Sequence, residues 1–183
     1  DIGILRALPN IILSQPKDAY EAGALMQLAF SQNHPFAIRF PRGSTPYKPY
    51  DGQPIALGSW EYLKAENEKG IVITYGNDVI KIRDYYMHEG ISVINARFFK
   101  PLDWALLDEI LSKDIPILVY EGDMLACGLG SAILEYSNDR NYNKHIQRIG
   151  IKDTYVTAGS IARLKSAYQI DYKQIDQWIK TIK

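Results

Sequence analysis

The first 43 residues carry three short patterns of apolar and polar positions. Residues 11–14 form a brief apolar run, as in a buried strand, and residues 36–40 alternate as a second strand does. Between them, apolar residues at helical spacing predict a helix over 18–32 with one buried face: Ala22, Leu25, Met26 and Ala29. Asp18 and Glu21 have the spacing of a capping box at its start. Strand, helix and strand make one crossover unit, which is too small to be a domain.

The stretch over 44–58 is rich in proline and glycine and has no clear periodicity, which is typical of a linker. Residues 60–63 then predict a short edge strand. Residues 70–76 form a β-branched run without polar alternation, as expected of a strand that is covered on both faces.

From residue 70 onwards, apolar runs alternate with segments of helical spacing. The runs predict strands at 70–76, 91–96, 115–120 and 145–149, and helices at 78–88, from 103, from 131, at 160–168 and at 171–182. Asn77, Asp103, Ser160 and Asp171 stand where helix caps are expected. This alternation predicts the α/β class, with a mostly parallel sheet and helices on both of its faces.

The composition excludes several kinds of protein. The hydrophobic share is 46% and the charged share 23%, which is typical of a globular chain and excludes a disordered one. Lysine plus arginine and aspartate plus glutamate both number 21, so the net charge is zero and no nucleic-acid partner or anionic membrane partner is expected. No apolar run approaches the ~20 residues of a membrane span.

Cysteine and histidine are scarce. Cys127 is the single cysteine, so no internal disulfide forms, which suits a reducing cytoplasm. A nucleophilic Cys127 would need a base, and no histidine is near in sequence, so a small buried residue is the favoured interpretation. His34, His88 and His145 lie far apart without other ligands at metal-binding spacing, so we expect no protein metal site.

Three loop features are candidates for ligand binding. The segment 121–131 joins a strand to a helix and contains Gly128 and Gly130; it is either a tight turn, which we favour, or a phosphate cradle. Residues 75–78 are likewise either a capped turn, which we favour, or a ligand-binding loop. Arg42 follows the predicted strand 36–40, where open parallel sheets bind ligands, and suits a phosphate or carboxylate. From position alone, a solvated or ion-paired Arg42 is favoured over a ligand-binding one.

The chain opens at Asp1 without methionine and enters an apolar segment almost at once. It carries neither the basic region nor the apolar stretch of a signal peptide. We therefore expect a chain that begins within a larger fold.

Several motifs together resemble the 1-deoxy-D-xylulose-5-phosphate synthases, which are thiamine-diphosphate enzymes of the transketolase superfamily. The matching segments run in order through essentially the whole chain: Asp1–Asn10, Ser14–Asp18, Ile38–Gly43, Asn95–Asp103, Val119–Asp123, Gly128–Ser131, Gly150–Asp153 and Ala158–Ser160. Each motif alone is weak, but the set is specific to the superfamily. The last two motifs favour the synthases over transketolase and the β subunit of pyruvate dehydrogenase.

The resemblance implies a division of the chain. Residues 1–48 correspond to the end of a pyrimidine-binding α/β domain, 49–55 to a linker, and 56–183 to a complete transketolase C-terminal-like domain. The family's metal-binding motif, activating glutamate and active-site histidine have no counterpart here. We therefore expect no catalytic, cofactor-binding or metal-binding residue in this chain, and no cofactor bound to it. Arg42 matches the family's arginine for the phosphate of glyceraldehyde 3-phosphate, whereas Cys127 stands where the family usually has glycine.

For the full-length protein, the resemblance implies a homodimeric, cytoplasmic transferase that uses thiamine diphosphate and Mg²⁺. It would condense the small-molecule substrates pyruvate and glyceraldehyde 3-phosphate, with loss of CO₂, and its product would feed isoprenoid, thiamine and pyridoxal pathways. The chain alone is expected to be inactive because its partner domains are missing. Two alternatives stay open: another enzyme of the superfamily, such as transketolase or a 2-oxo acid dehydrogenase β subunit, and a standalone module used only for assembly.

Overall fold

The computed structural model describes residues 1–41 and 50–182. Its helices and strands follow in the order α1 Ile2–Arg6, β1 Ile12–Ser14, α2 Ala19–Phe30, β2 Phe36–Ile38, β3 Glu61–Leu63, β4 Gly70–Thr74, α3 Asp78–Tyr86, β5 Ile91–Asn95, β6 Phe98–Lys100, α4 Trp104–Leu111, β7 Ile117–Met124, α5 Leu129–Asp139, β8 Ile146–Ile151, α6 Ile161–Ala167 and α7 Lys173–Thr181. A single turn of 3₁₀ helix at Met87–Glu89 follows α3. The predicted α/β class is confirmed.

The larger sheet has five strands in the order β3-β5-β4-β7-β8. All neighbours pair in parallel except β3, which pairs antiparallel with β5 at the edge, as its sequence predicted. Strands β4 and β5 are buried along their whole length, because each lies inside the sheet and is covered on both faces.

Helices cover both faces of this sheet, and the side chains of β4 show why. Ile71 and Ile73 point to the face where residues of α4 and α5 complete the core, including Leu107 and Ile133. Val72 points to the opposite face and packs among residues of α3 and α7. Successive side chains of a strand alternate between faces, so a run of uniformly apolar residues requires cover on both sides.

A smaller sheet, in the order β2-β1-β6, contains the strands of the first segment. β1 pairs in parallel with β2 and antiparallel with β6. The first segment therefore has a sheet partner from the second half of residues 1–100, because Phe98–Lys100 returns to pair with Leu13 and Ser14. Leu13 and Phe98 are fully buried in the same core cluster as residues of the larger sheet.

A buried polar network joins the first segment to the larger sheet. Glu21 on α2 is only 1% exposed, and its Oε1 accepts hydrogen bonds from Arg97 Nη1 and Asn95 Nδ2, both at 2.9 Å. Lys17 lies 3.4 Å from the same oxygen and 2.9 Å from Glu61 on β3. The domain boundary at residue 48 stays a prediction, but core packing and ion pairs connect the residues before this boundary to those after it.

Most predicted helix caps are present. Asp18 Oδ1 accepts from the backbone N–H of Glu21 at 2.8 Å, and Asp103 and Ser160 accept from the third residue of their helices. The predicted cap at Asp171 is wrong, since α7 begins after Tyr172 and the Asp171 Oδ1 has no hydrogen-bond partner among the described residues. Asn77 precedes α3 but makes no side-chain cap bond.

Several described elements, β6 among them, differ from the predictions. Helix α1 was not predicted, β7 continues to Met124 instead of ending at Tyr120, and α5 begins at Leu129 instead of Ser131. In the part of the chain that the structure describes, none of the helices combines the length and apolar character that a bilayer crossing requires.

Candidate functional site

The carboxyl ends of β1, β2 and β4, together with Gly122 of β7, line a cleft of about 260 Å³. Open parallel sheets bind their ligands at such ends, since loops rather than helices occupy that edge. The cleft is lined by ten residues: Asp1, Gln15, Arg39, Phe40, Pro41, Tyr75, Asn77, Asp78, Gly122 and Lys165.

Arg39 organises one wall of this cleft. Its Nε donates to the Asp1 carboxylate at 2.9 Å, its Nη1 to Gln15 Oε1 at 2.6 Å and its Nη2 to Asp123 Oδ2 at 2.9 Å. The guanidinium thus bonds with all three nitrogens to three segments that are remote in sequence. Bonds of this type are stronger than neutral ones because the donor is charged.

Tyr75 forms the buried base of the cleft. It is 6% exposed, and its ring packs edge-to-face on Phe99 with centroids 4.7 Å apart. Burial raises the pKa of the Tyr75 hydroxyl well above its ordinary value, so this group stays a hydrogen-bond donor. The hydroxyl oxygen finds no hydrogen-bond partner within the ranges 1–41 and 50–182.

Lys165 and Asp78 close the opposite wall. Lys165 Nζ on α6 lies 2.8 Å from Asp78 Oδ1 at the start of α3, and the Tyr172 hydroxyl donates to the same oxygen. Burial and the nearby Asp78 charge raise the pKa of the Tyr172 hydroxyl, so it remains protonated. The wall therefore joins the C-terminal helices to the end of β4.

The predicted glycine loop is a tight turn around Glu121. This side chain is fully buried, and its carboxylate accepts from the backbone N–H groups of Leu129 at 2.9 Å and Gly130 at 3.2 Å. A Cβ on Gly128 would lie 2.2 Å from Glu121 Oε2, so only glycine fits there. The donors that a phosphate would use are occupied by the chain's own carboxylate, which agrees with the favoured interpretation.

Glu121 is the described carboxyl group with the largest upward perturbation. Burial raises the pKa of Glu121 to about 7, while the Gly130 and Leu129 N–H groups and the Arg148 charge oppose the rise. At neutral pH this carboxyl therefore exists in both protonation states within the turn.

Cys127 lies in the same turn but differs from its prediction. It is exposed, so the expectation of a small buried residue is wrong. Its φ is 60°, in the left-handed region that favours glycine, and its carbonyl accepts from Arg6 Nη1 at 2.7 Å. The backbone here explains why the resembling family usually has glycine at this position.

The three histidines lie on the exposed surface at separate places: His34 before β2, His88 after α3 and His145 before β8. Within residues 1–41 and 50–182, no group of three or more histidine, cysteine or acidic side chains is arranged to hold a metal ion.

Arg42, the predicted phosphate-binding residue, lies outside the described residues, which resume at residue 50. Its role stays a prediction. Phe40 and Pro41, which precede it directly, border the cleft. No ligand role was predicted from the sequence for Gln15, Arg39, Tyr75 or Lys165, although Tyr75 lies in the turn considered over 75–78. The available signal was their position, because the first three follow directly after strand ends.

The family model for the transketolase C-terminal domain matches residues 58–175, well over half of the chain. The chain therefore belongs to the transketolase C-terminal domain family. Curated relatives within this class share one enzyme name. The chain is 35% identical over its whole length to a 1-deoxy-D-xylulose-5-phosphate synthase of Geobacillus thermodenitrificans, and 38% identical over 93% of its length to that of Listeria monocytogenes. The resemblance predicted from the sequence is confirmed.

The chain spans about 30% of the length of these relatives. Solved structures agree on the fold. A protein described as a split-gene transketolase, inactive β4 tetramer, superposes with a TM-score of 0.85 at 22% identity, over 99% of this chain and 60% of that one. Transketolase from Leishmania mexicana gives a TM-score of 0.69 at 14% identity, over 99% of this chain and 26% of that one.

Proposed function

We propose that this chain is the C-terminal part of a thiamine-diphosphate-dependent synthase. The full-length enzyme condenses pyruvate with glyceraldehyde 3-phosphate to 1-deoxy-D-xylulose 5-phosphate and CO₂, in the route to isoprenoid precursors. The observation that carries this proposal is the identity of 35–38% to curated relatives that share this one enzyme name, over nearly the whole chain. The likeness to solved transketolases is lower, at 14–22% identity, and concerns the fold alone.

The proposal includes the domain map inferred from the resemblance. Residues 1–48 end a pyrimidine-binding domain and residues 56–183 form the C-terminal domain, which supports a homodimer. Location in the cytoplasm is included, since Cys127 is the single cysteine and suits a reducing compartment. A role in thiamine supply, which the resemblance suggested, has no support in the relatives' names and is not part of the proposal.

A site for thiamine diphosphate with Mg²⁺ would need oxygen ligands for the metal ion. Mg²⁺ takes carboxylate and other oxygen ligands together with the diphosphate, and the described part of the chain contains no acidic cluster arranged for a metal ion. We therefore assign the cofactor to the other domains of the full-length protein. No step of the reaction is assigned to this chain except recognition of the substrate phosphate.

Arg42 is assigned to that recognition. A guanidinium presents a fork of donors that matches a phosphate, and each charge-assisted bond contributes roughly 1.5–3 kcal/mol. The phosphate is remote from the bonds that change, so it is held equally in the ground and transition states. Losing such a contact raises KM and leaves kcat nearly unchanged.

Steady-state kinetics of the full-length enzyme test this assignment. Arg42→Ala is expected to raise KM for glyceraldehyde 3-phosphate roughly ten- to a hundred-fold and to leave KM for pyruvate nearly unchanged. Arg42→Lys recovers part of the loss, since an ammonium keeps the charge without the fork. Arg83→Ala is the matched control, because Arg83 pairs with its neighbour Asp84 on the surface of α3. Equal effects on both substrates would make Arg42 a structural residue.

The isolated 183-residue chain gives a second test. Calorimetry with thiamine diphosphate and Mg²⁺ is expected to show no tight binding, and an assay with pyruvate no decarboxylation. Micromolar affinity for the cofactor would overturn the assignment of its site to other domains.

A further inference from the structure

We propose that the cleft at the ends of β1, β2 and β4 is a binding site for a small monocarboxylate, with the Tyr75 hydroxyl at its base as the principal hydrogen-bond donor. None of the residues that line this cleft is assigned a role in the proposed reaction, so the site is independent of that function. Three features of the cleft carry the inference: a hydroxyl without a partner, amide donors beside it, and a balance of charges that suits one negative charge.

The Tyr75 hydroxyl is the unusual feature of this cleft. Tyr75 is 6% exposed, yet its hydroxyl has no hydrogen-bond partner among residues 1–41 and 50–182. Besides burial, the influences on its pKa include charges of both walls, with Arg39 and Asp123 on one and Asp78 on the other, so the hydroxyl lies between these walls. A buried hydroxyl without a partner costs free energy, and native proteins supply a partner for most such groups. A ligand oxygen would complete this bond.

Two amide side chains stand beside this hydroxyl. Gln15 Nε2 lies against Gly76, the residue after Tyr75, since a Cβ on Gly76 would collide with it. Gln15 Oε1 accepts from Arg39 at 2.6 Å, so the amide nitrogen is the group that it can offer to a ligand. Asn77 is exposed, and its side chain makes no cap bond to α3. A carboxylate accepts hydrogen bonds on two oxygens and therefore matches a hydroxyl flanked by amide donors.

The charged side chains that line the cleft balance one another. On one wall, Arg39 Nε lies 2.9 Å from the Asp1 carboxylate. On the other, Lys165 Nζ lies 2.8 Å from the Asp78 carboxylate. Behind the first wall, Asp123 and the ammonium of the first residue lie 4.0 Å apart and add one charge of each sign. The cleft therefore has no excess of positive charge that would draw a doubly charged ligand.

A single negative charge is favoured nevertheless. The cleft lies at the start of α3, where the helix dipole places about half a positive charge, and the N-cap side chain leaves this end open. Together with the hydroxyl and amide donors, this end stabilises one carboxylate. A phosphate carries up to about two negative charges at neutral pH and would lack a counter-charge for the second.

The dimensions of the cleft limit the rest of the ligand. Its volume is about 260 Å³, below the roughly 300–1,000 Å³ of most small-molecule sites, so a carboxylate with a few carbon atoms fits. Phe40 and Pro41 border the cleft, and Phe40 is 78% exposed. These two side chains offer apolar surface to the carbon atoms of the ligand.

Chemical-shift titrations of the ¹⁵N-labelled 183-residue chain test the site, because this chain contains every residue that lines the cleft. Sodium acetate and sodium pyruvate are the probes, with sodium chloride used to hold the ionic strength constant. Both probes are expected to shift the amide signals of residues 75–78 in a saturable manner. Inorganic phosphate is expected to bind more weakly than acetate, and equal or tighter binding of phosphate would overturn the assignment of a monocarboxylate.

The Tyr75→Phe variant removes only the hydroxyl. Its dissociation constants for acetate and pyruvate are expected to rise roughly ten-fold, as for a lost hydrogen bond to a charged group. Its free energy of unfolding without ligand is expected not to fall, because the hydroxyl has no partner among the described residues. Tyr155→Phe, on a tyrosine that is 99% exposed and outside the cleft, is the matched control. Asn77→Ala is expected to weaken binding roughly three-fold, since this amide is exposed.

Three results would overturn the inference. The first is the absence of saturable shifts at residues 75–78 with either carboxylate. The second is a dissociation constant in Tyr75→Phe that equals the value in Tyr155→Phe. The third is a loss of stability in Tyr75→Phe without ligand, which would show that the hydroxyl already has a partner within the folded chain. None of these results bears on the reaction of the full-length enzyme, which the kinetic variants of Arg42 test separately.

Discussion

Replacing Glu121 by glutamine is expected to remove a pH dependence from the stability of the chain. Glu121 is fully buried in the turn before α5, where it accepts two backbone hydrogen bonds. Burial raises its pKa to about 7 from the ordinary value of 4.5, although the Gly130 and Leu129 N–H groups and Arg148 partly compensate. The cost of burying the charged form therefore exceeds the gain from its hydrogen bonds.

The sign of the effect follows from proton binding in the two states. Between pH 4.5 and 7, the folded chain keeps the Glu121 proton while the unfolded chain has lost it. The free energy of unfolding therefore falls as the pH rises through this window. The difference between the folded and unfolded pKa values of Glu121 corresponds to a loss of up to about 3 kcal/mol in the free energy of unfolding once the pH exceeds 7.

Urea titrations followed by tryptophan fluorescence at pH 5, 6, 7 and 8 measure this loss. The Glu121→Gln variant stays neutral throughout, so its stability relative to wild type is expected to rise by about 2.5 kcal/mol from pH 5 to pH 8. Any misfit of the amide in the turn shifts the variant equally at every pH and does not alter this difference. Glu66→Gln, on an exposed glutamate, is the control. Parallel profiles for wild type and Glu121→Gln would refute the reasoning.

Two further predictions concern the backbone. A Cβ on Gly3 would lie 2.8 Å from the Cβ of Cys127, so Gly3→Ala is expected to destabilise the wild-type chain by about 1 kcal/mol or more. In the Cys127→Gly background this clash is absent and helix propensity favours alanine, so the same substitution is not expected to destabilise the chain. Cys127→Gly alone is expected to stabilise the chain by up to about 1 kcal/mol, because glycine adopts a φ of 60° without strain. If urea titrations showed the effects of Gly3→Ala and Cys127→Gly to be additive in the double variant, the contact between residues 3 and 127 would be contradicted. Asp18→Ala is expected to lower the free energy of unfolding by about 1 kcal/mol, because the Asp18 side chain caps α2. Asn77→Ala is expected to lower it much less, because the Asn77 side chain makes no cap bond. Equal shifts of the two urea midpoints would show that the Asp18 cap contributes nothing.

Local patterns sufficed for most elements of the larger sheet. The uniformly apolar run at Gly70–Thr74 predicted a strand covered on both faces, and the structure covers it on both. Asp18 marked the start of α2 through a contact only three residues away. Such elements follow from the sequence because their determinants lie within a few neighbouring residues.

Strand β6 could not be predicted in the same way. Phe98–Lys100 has three residues, too few for a period to show, and Ser14, the β1 partner of Phe98, lies 84 residues earlier in the chain. Its pairing is decided by the packing of Phe98 into the shared core, which depends on where both sheets stand.

The candidate site also combines features that the sequence predicts with features that only the tertiary structure shows. The sequence by itself determined the α/β class and the strand ends at which ligands are expected, and through resemblance it predicted Arg42 as the phosphate residue. Only the tertiary structure decided that Arg39 meets Gln15 and Asp123, which lie 24 and 84 residues from it. The physical reason is range: hydrophobic period and capping act over a few residues, whereas the partners of a side chain at a strand end are set by which strands the core brings together.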